Sequence, residues 1–138
     1  MKIYTKLLVI ATLMFFAACS KENMEVIDVY GDPSVLVGKW KLSETLADPG
    51  NGSGEWKKVS KETNNYIVFE ENGKLSGNSF AGYTTYAVQD SITLKVTKAD
   101  GITYQNYSYK LQGEALSLSP AGPIYCIEAC GSRFKKIE

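Results

Sequence analysis

Turn signals, more than any other feature, limit what this chain can fold into. Asn72-Gly73, Asp90-Ser91, Asp100-Gly101 and Gln112-Gly113-Glu114 cut it into short pieces. Asn-Gly and Asp-Gly accept positive φ at both central positions, the conformation a two-residue hairpin requires. Between these turns the side chains alternate. Ile92, Leu94 and Val96 interleave with Thr93, Lys95 and Thr97, the clearest two-residue period in the protein. Earlier, Leu36, Gly38, Trp40, Leu42, Glu44 and Leu46 alternate from residue 39 onward with Lys39, Lys41, Ser43 and Thr45. That is the pattern of a strand with one dry face.

Further strands are expected at Glu55 to Val59 (weak), Tyr66 to Glu70, Lys74 to about Phe80 and Gly82 to Gln89. The pattern continues through Ile102 to Leu111, Ala115 to Ser119 and about Ser132 to Ile137. No stretch beyond residue 19 sustains a 3.6-residue apolar period. Eight to nine short strands joined by tight turns predict an all-β, antiparallel up-and-down meander, which closes into a barrel or folds into a sandwich. An immunoglobulin-type sandwich would carry a cysteine, tryptophan, cysteine spacing that is absent here. Asp32-Pro33 offers an N-cap followed by proline, so a short turn over Pro33 to Leu36 should feed the first strand. Ala47 to Gly54 reads as a loop, either a solvated connection or the edge of a site.

The N-terminus is of another kind. Lys2 and Lys6 precede the uncharged run Leu7 to Ala18, which is too short for a membrane span of about 20 residues. The run fits the apolar region of an export signal. It closes on Phe16-Ala17-Ala18-Cys19, which resembles the lipobox of bacterial lipoproteins. That resemblance implies cleavage before Cys19, lipidation of Cys19, and a membrane anchored through the N-terminal lipid. Residues 1–18 would then be the signal peptide, 19–34 a lipidated tether, and 35–138 the folded domain. Cys19-Ser20-Lys21-Glu22-Asn23 is partly similar to the surface-export tag of Bacteroidetes lipoproteins and points to the outer membrane.

The chain carries 15 basic and 15 acidic residues. Loss of Lys2 and Lys6 with the signal leaves 13 against 15, a net charge of −2. No clustered basic tract marks nucleic acid as a partner.

Gly38-Lys39-Trp40 at the head of the first strand resembles the lipocalin pattern. Cys126-Ile127-Glu128-Ala129-Cys130-Gly131-Ser132-Arg133-Phe134 resembles the close of small lipocalin-like lipoproteins of Bacteroidetes. With Phe69, Asn72-Gly73 and the Tyr109 to Leu118 hairpin, the likeness covers most of residues 35–138. It implies an antiparallel lipocalin-like barrel, open at one end. It also implies that Arg133 lies across Trp40 and plugs the other end. Gly38, two residues before Trp40, leaves room for another segment, or the indole itself, to approach the backbone. The chain is shorter than typical lipocalins and shows no long C-terminal helix, so a deep cavity is not implied.

The chain has no histidine. The commonest general base and the Ser-His and Cys-His nucleophile pairs are therefore excluded, and a non-catalytic protein without a metal or cofactor is expected. Cys126 and Cys130 form an even pair in an oxidising compartment once Cys19 carries lipid; a disulfide is the default, with free thiols or a metal site as alternatives. Four residues of straight strand would separate their α-carbons by about 13 Å, and a bridge needs less than about 7 Å, so a bridge requires the segment to bend.

Aromatics are the remaining clue. Trp56, Tyr83, Tyr86 and Tyr107 are the candidate ligand-binding residues, because a flat apolar ring with a polar tip suits an amphiphile. The competing reading is that tyrosine favours strands and fills small barrels. Two functions follow: binding of a small hydrophobic or amphipathic molecule, or a protein-interaction, accessory or inhibitor module with a filled barrel.

Overall fold

In a computed structural model the chain is described over residues 32–138; Cys19, its lipobox and most of the tether lie outside those residues. A 3₁₀ turn, Pro33–Leu36, leads into nine strands: β1 (Gly38–Ala47), β2 (Glu55–Lys58), β3 (Tyr66–Phe69), β4 (Leu75–Gly77) and β5 (Tyr83–Val88), then β6 (Thr93–Lys98), β7 (Tyr104–Gln112), β8 (Ala115–Pro120) and β9 (Cys130–Lys136). The fold is all-β, and every strand pairing is antiparallel. Spatial order is β4-β3-β1-β9-β8-β7-β6-β5, with β2 added beside the second half of β1. The two ends of that order meet. Lys74 bridges to Thr85, and the Tyr86 N–H donates to the Gly73 carbonyl at 2.9 Å. The up-and-down meander is thus nearly closed into a barrel, which leaves little exposed edge.

Alternation explains the core. Trp40, Ile67, Phe69, Leu94, Val96, Leu116, Leu118 and Phe134 point inward and are buried. The expected alternation of β1 holds only to Leu42. Leu42 faces Phe134, yet Glu44 faces Arg133, so one extra residue is inserted between them. Such a bulge turns the rest of the strand over. Glu44 consequently shares the outer face with Arg133, and Thr45 lies opposite Ser132 on the inner one. β1 begins at Gly38 because Leu36 belongs to the preceding turn, whose Ser34 N–H is capped by the Asp32 carboxylate at 2.8 Å.

That turn plugs one end of the barrel. Leu36 and Trp40 are fully buried, and the Trp40 indole N–H donates to the Leu36 carbonyl at 2.7 Å. Beside it the C-terminus crosses β1, with the Lys39 N–H donating to the Glu138 carbonyl at 2.9 Å. Gly38 has φ +128°, and a Cβ there would run into the Glu138 carbonyl oxygen. The room that glycine leaves is filled by the C-terminal backbone, not by the indole.

Candidate functional site

The opposite end is a mouth. It is built where β1, β4, β6 and β8 finish and β2, β5, β7 and β9 begin. Two of its loops are held by unlike devices. In the glycine-rich loop the Asp48 carboxylate accepts from the backbone N–H groups of Gly50, Asn51, Gly52 and Gly54 at 2.8 to 3.1 Å. The segment is therefore wound around one carboxylate, although its composition alone reads only as a loop. The N–H groups of Gly50 and Gly54, with smaller help from Asn51 and Gly52, hold the Asp48 carboxyl below the usual carboxylate range. A lowered value favours the folded loop above the ordinary carboxylate pKa, and that preference fades as pH falls through the lowered one. Replacing Asp48 by alanine at neutral pH should accelerate amide exchange of Gly50, Asn51, Gly52 and Gly54 several-fold. Exchange within β1 should be unchanged, and in the wild type acid should lower the protection of the same four amides relative to their intrinsic exchange rate at that pH.

The second loop, residues 121–129, bends between Cys126 and Cys130. Their α-carbons are 6.1 Å apart and their sulfurs are bonded. The Asp48 N–H donates to the Ala129 carbonyl at 2.9 Å, which ties the two loops together.

Inside the mouth lies a cavity of about 390 Å³. Phe80, Tyr107, Leu118 and Pro120 give it apolar walls, and Thr45 and Ser132 set hydroxyls among them. No charged side chain among the described residues lines it. Phe80 and Tyr107 pack with ring centroids 5.0 Å apart, and Phe80 meets Tyr83 edge-on at 6.4 Å. Burial, aided by the neighbouring Tyr83, pushes the Tyr107 phenol up to about 12. Tyr107 is thus a neutral phenol throughout the physiological range. The Ser79 hydroxyl is buried without a hydrogen-bond partner among the described residues. A buried unpaired oxygen costs roughly 1–3 kcal/mol.

The four aromatic candidates divide. Tyr83 and Tyr107 stand together at the mouth. Tyr86 sits in the core, packed edge-on against Phe69 at 4.9 Å, with its hydroxyl donating to the Glu70 carbonyl at 2.9 Å. Its place opposite Val96 on β6 puts it on the inward face. Trp56 lies on the outer surface, opposite Leu46 and across Gly131, where an added Cβ would come within 3.0 Å of the indole.

The Arg133 expectation is also corrected. Its guanidinium stacks on Trp56, 3.8 Å from the ring centroid, and donates to Glu44 at 2.9 Å. Lys136 instead stands over Trp40, its ammonium 5.3 Å from the ring. Register is the reason: β9 sets Lys136 opposite Trp40 and Arg133 opposite Glu44, beyond the bulge.

Phe80, Ser79, Thr45 and Ser132 are site residues that the strand pattern does not single out. Phe80 belongs to a connection, not to the strand expected there, since β4 stops at Gly77. Thr45 reaches the interior only through the bulge.

Among the described residues no group of three or more acidic or cysteine side chains is placed to hold a metal. No helix among them is long and apolar enough to cross a membrane. Compared with protein families, curated proteins and solved structures, the chain matches none of them.

Proposed function

We propose that this protein binds a small, uncharged, mainly apolar molecule in the mouth of its barrel, without catalysis. The lipobox-like Cys19 would hold it on the outer membrane by lipid. The observation that carries the reading is the mouth cavity itself. Its volume of about 390 Å³ falls within the range of small-molecule sites, roughly 300–1,000 Å³. Its lining is apolar with a few hydroxyls and no charge, which suits an amphiphile with one or two hydroxyl groups. An ionised headgroup would be left without a counter-charge there. The neutral Tyr107 phenol offers a hydrogen-bond donor to such a molecule.

Native mass spectrometry of the full-length protein, extracted from its own envelope in mild detergent, tests this. The expected result is a reproducible adduct that is lost in Tyr107→Ala and in Ser132→Trp, which fills the cavity. An adduct that survives Ser132→Trp in a folded protein would place binding elsewhere. A bare mass from native membranes would end the ligand-binding reading.

A further inference from the structure

A second concavity lies on the outside of the barrel and shares no lining residue with the mouth cavity. It is a groove of about 770 Å³ across β1, β9 and β8, bordered on one side by residues 58–61 and on the other by the β7–β8 turn. Five cations line it: Lys41, Lys58, Lys61, Arg133 and Lys135. Among the described residues only two acids do, Glu44 and Glu114, and Glu44 is already engaged by Arg133.

Register makes this charge unusual. Lys41 stands directly opposite Lys135 on adjacent strands. Like charges so placed destabilise a sheet. The two ion pairs among the described residues, Lys39 with Glu138 and Arg133 with Glu44, relieve neither lysine. Lys41 reaches the carbonyl of Lys61 at 3.4 Å, a neutral acceptor. The chain thus keeps an uncompensated cationic pair on the floor of a groove whose opposite wall carries two more lysines.

We propose that this groove docks an extended acidic peptide segment of another protein. The cations are spread along the groove and do not converge on one point, so the complementary anion is itself spread out, unlike a single phosphate. Val59 and Ala115 contribute apolar surface between the charges. An acidic polypeptide can place apolar side chains there between its carboxylates, whereas a nucleic-acid backbone or a uronic-acid chain presents none. Ser117 on the floor adds a hydroxyl for main-chain carbonyls and amides, whereas the Ser43 hydroxyl already donates to the Arg133 carbonyl at 3.0 Å. The groove is independent of the mouth, and either reading can fail without the other.

The test is fluorescence-polarisation titration of the full-length protein in detergent with a labelled peptide alternating Glu and Leu over eight residues. Binding should weaken with added salt. In the double reversal Lys41→Glu/Lys135→Glu affinity should fall at least about tenfold, as a change from attraction to repulsion at two positions demands. The reversed protein should in turn bind the matching Lys-Leu peptide better than the wild type does. Both lysines are at the surface, and an unchanged melting curve would confirm that the variant is folded. The proposal is overturned if the wild type fails to bind the Glu-Leu peptide or if the reversal leaves binding intact. It is equally overturned if an oligothymidine of similar charge displaces the peptide at lower concentration than unlabelled Glu-Leu peptide does.

Discussion

Trp40→Ala should lower the stability of the domain by about 3–5 kcal/mol, the range for a buried large aromatic cut back to alanine. Trp40 is fully buried at the plugged end and makes its hydrogen bond to the turn beneath it. Its removal empties the space that Leu36 and the 3₁₀ turn close over, and leaves the Leu36 carbonyl without its donor. A domain of this size commonly has only 5–15 kcal/mol in hand, so the variant should melt at least about 10 °C lower or fail to fold. Trp40→Phe keeps most of the apolar volume and loses the hydrogen bond, and should cost much less. Urea denaturation followed by far-UV circular dichroism distinguishes the two. If alanine and phenylalanine prove equally mild, the indole is not what closes that end.

A loss of similar size is expected at the other place where the barrel depends on one ring. Phe69 is buried and packs edge-on against Tyr86, just where β4 and β5 bring the two ends of the sheet together. Phe69→Ala should cost about 3–5 kcal/mol. It should also loosen the seam first, so that the Tyr86 amide, bonded to Gly73 across the gap, exchanges faster than amides of β7 and β8. Tyr86→Phe keeps the ring pair and removes only the hydroxyl bond to Glu70, for about 1 kcal/mol. Uniform acceleration of exchange throughout the sheet, with no early loss at Tyr86, would show that the seam is not a separate weak point.

Much of the architecture was legible from alternation and turns, because both are local. Asn72-Gly73 and Asp100-Gly101 do lie between consecutive paired strands, and Ile92-to-Thr97 alternation puts Leu94 and Val96 in the core. The Asp32-Pro33 turn is also a local signal. What was hidden depends on register, which pairs residues far apart in sequence. The extra residue after Leu42 reverses the faces of Glu44 and Thr45, and nothing in the strand's own composition announces it. Arg133 was assigned to Trp40 from a resemblance in order, whereas pairing across β1 and β9 delivers Lys136 there and sends Arg133 to Trp56. Tyrosines could be recognised as strand residues, but their division between mouth and core follows from which strand each one faces. The Asp48 loop is a loop, as its composition reads, but its internal order is hidden for a related reason. Its order comes from backbone N–H groups gathered on one side chain, and such groups leave no mark in composition.

The described chain enters and leaves the barrel at the same end: Asp32 caps the plugging turn, and Glu138 hydrogen-bonds to β1 beside it. Anything joined at the C-terminus, whether a purification tag, a biosensor surface or a fused domain, therefore meets the sealed base of the cup. Capture by the C-terminus would leave the mouth unobstructed for ligand measurements. A probe intended to report on ligand entry would have to be attached instead to the 48–54 or 121–129 loop.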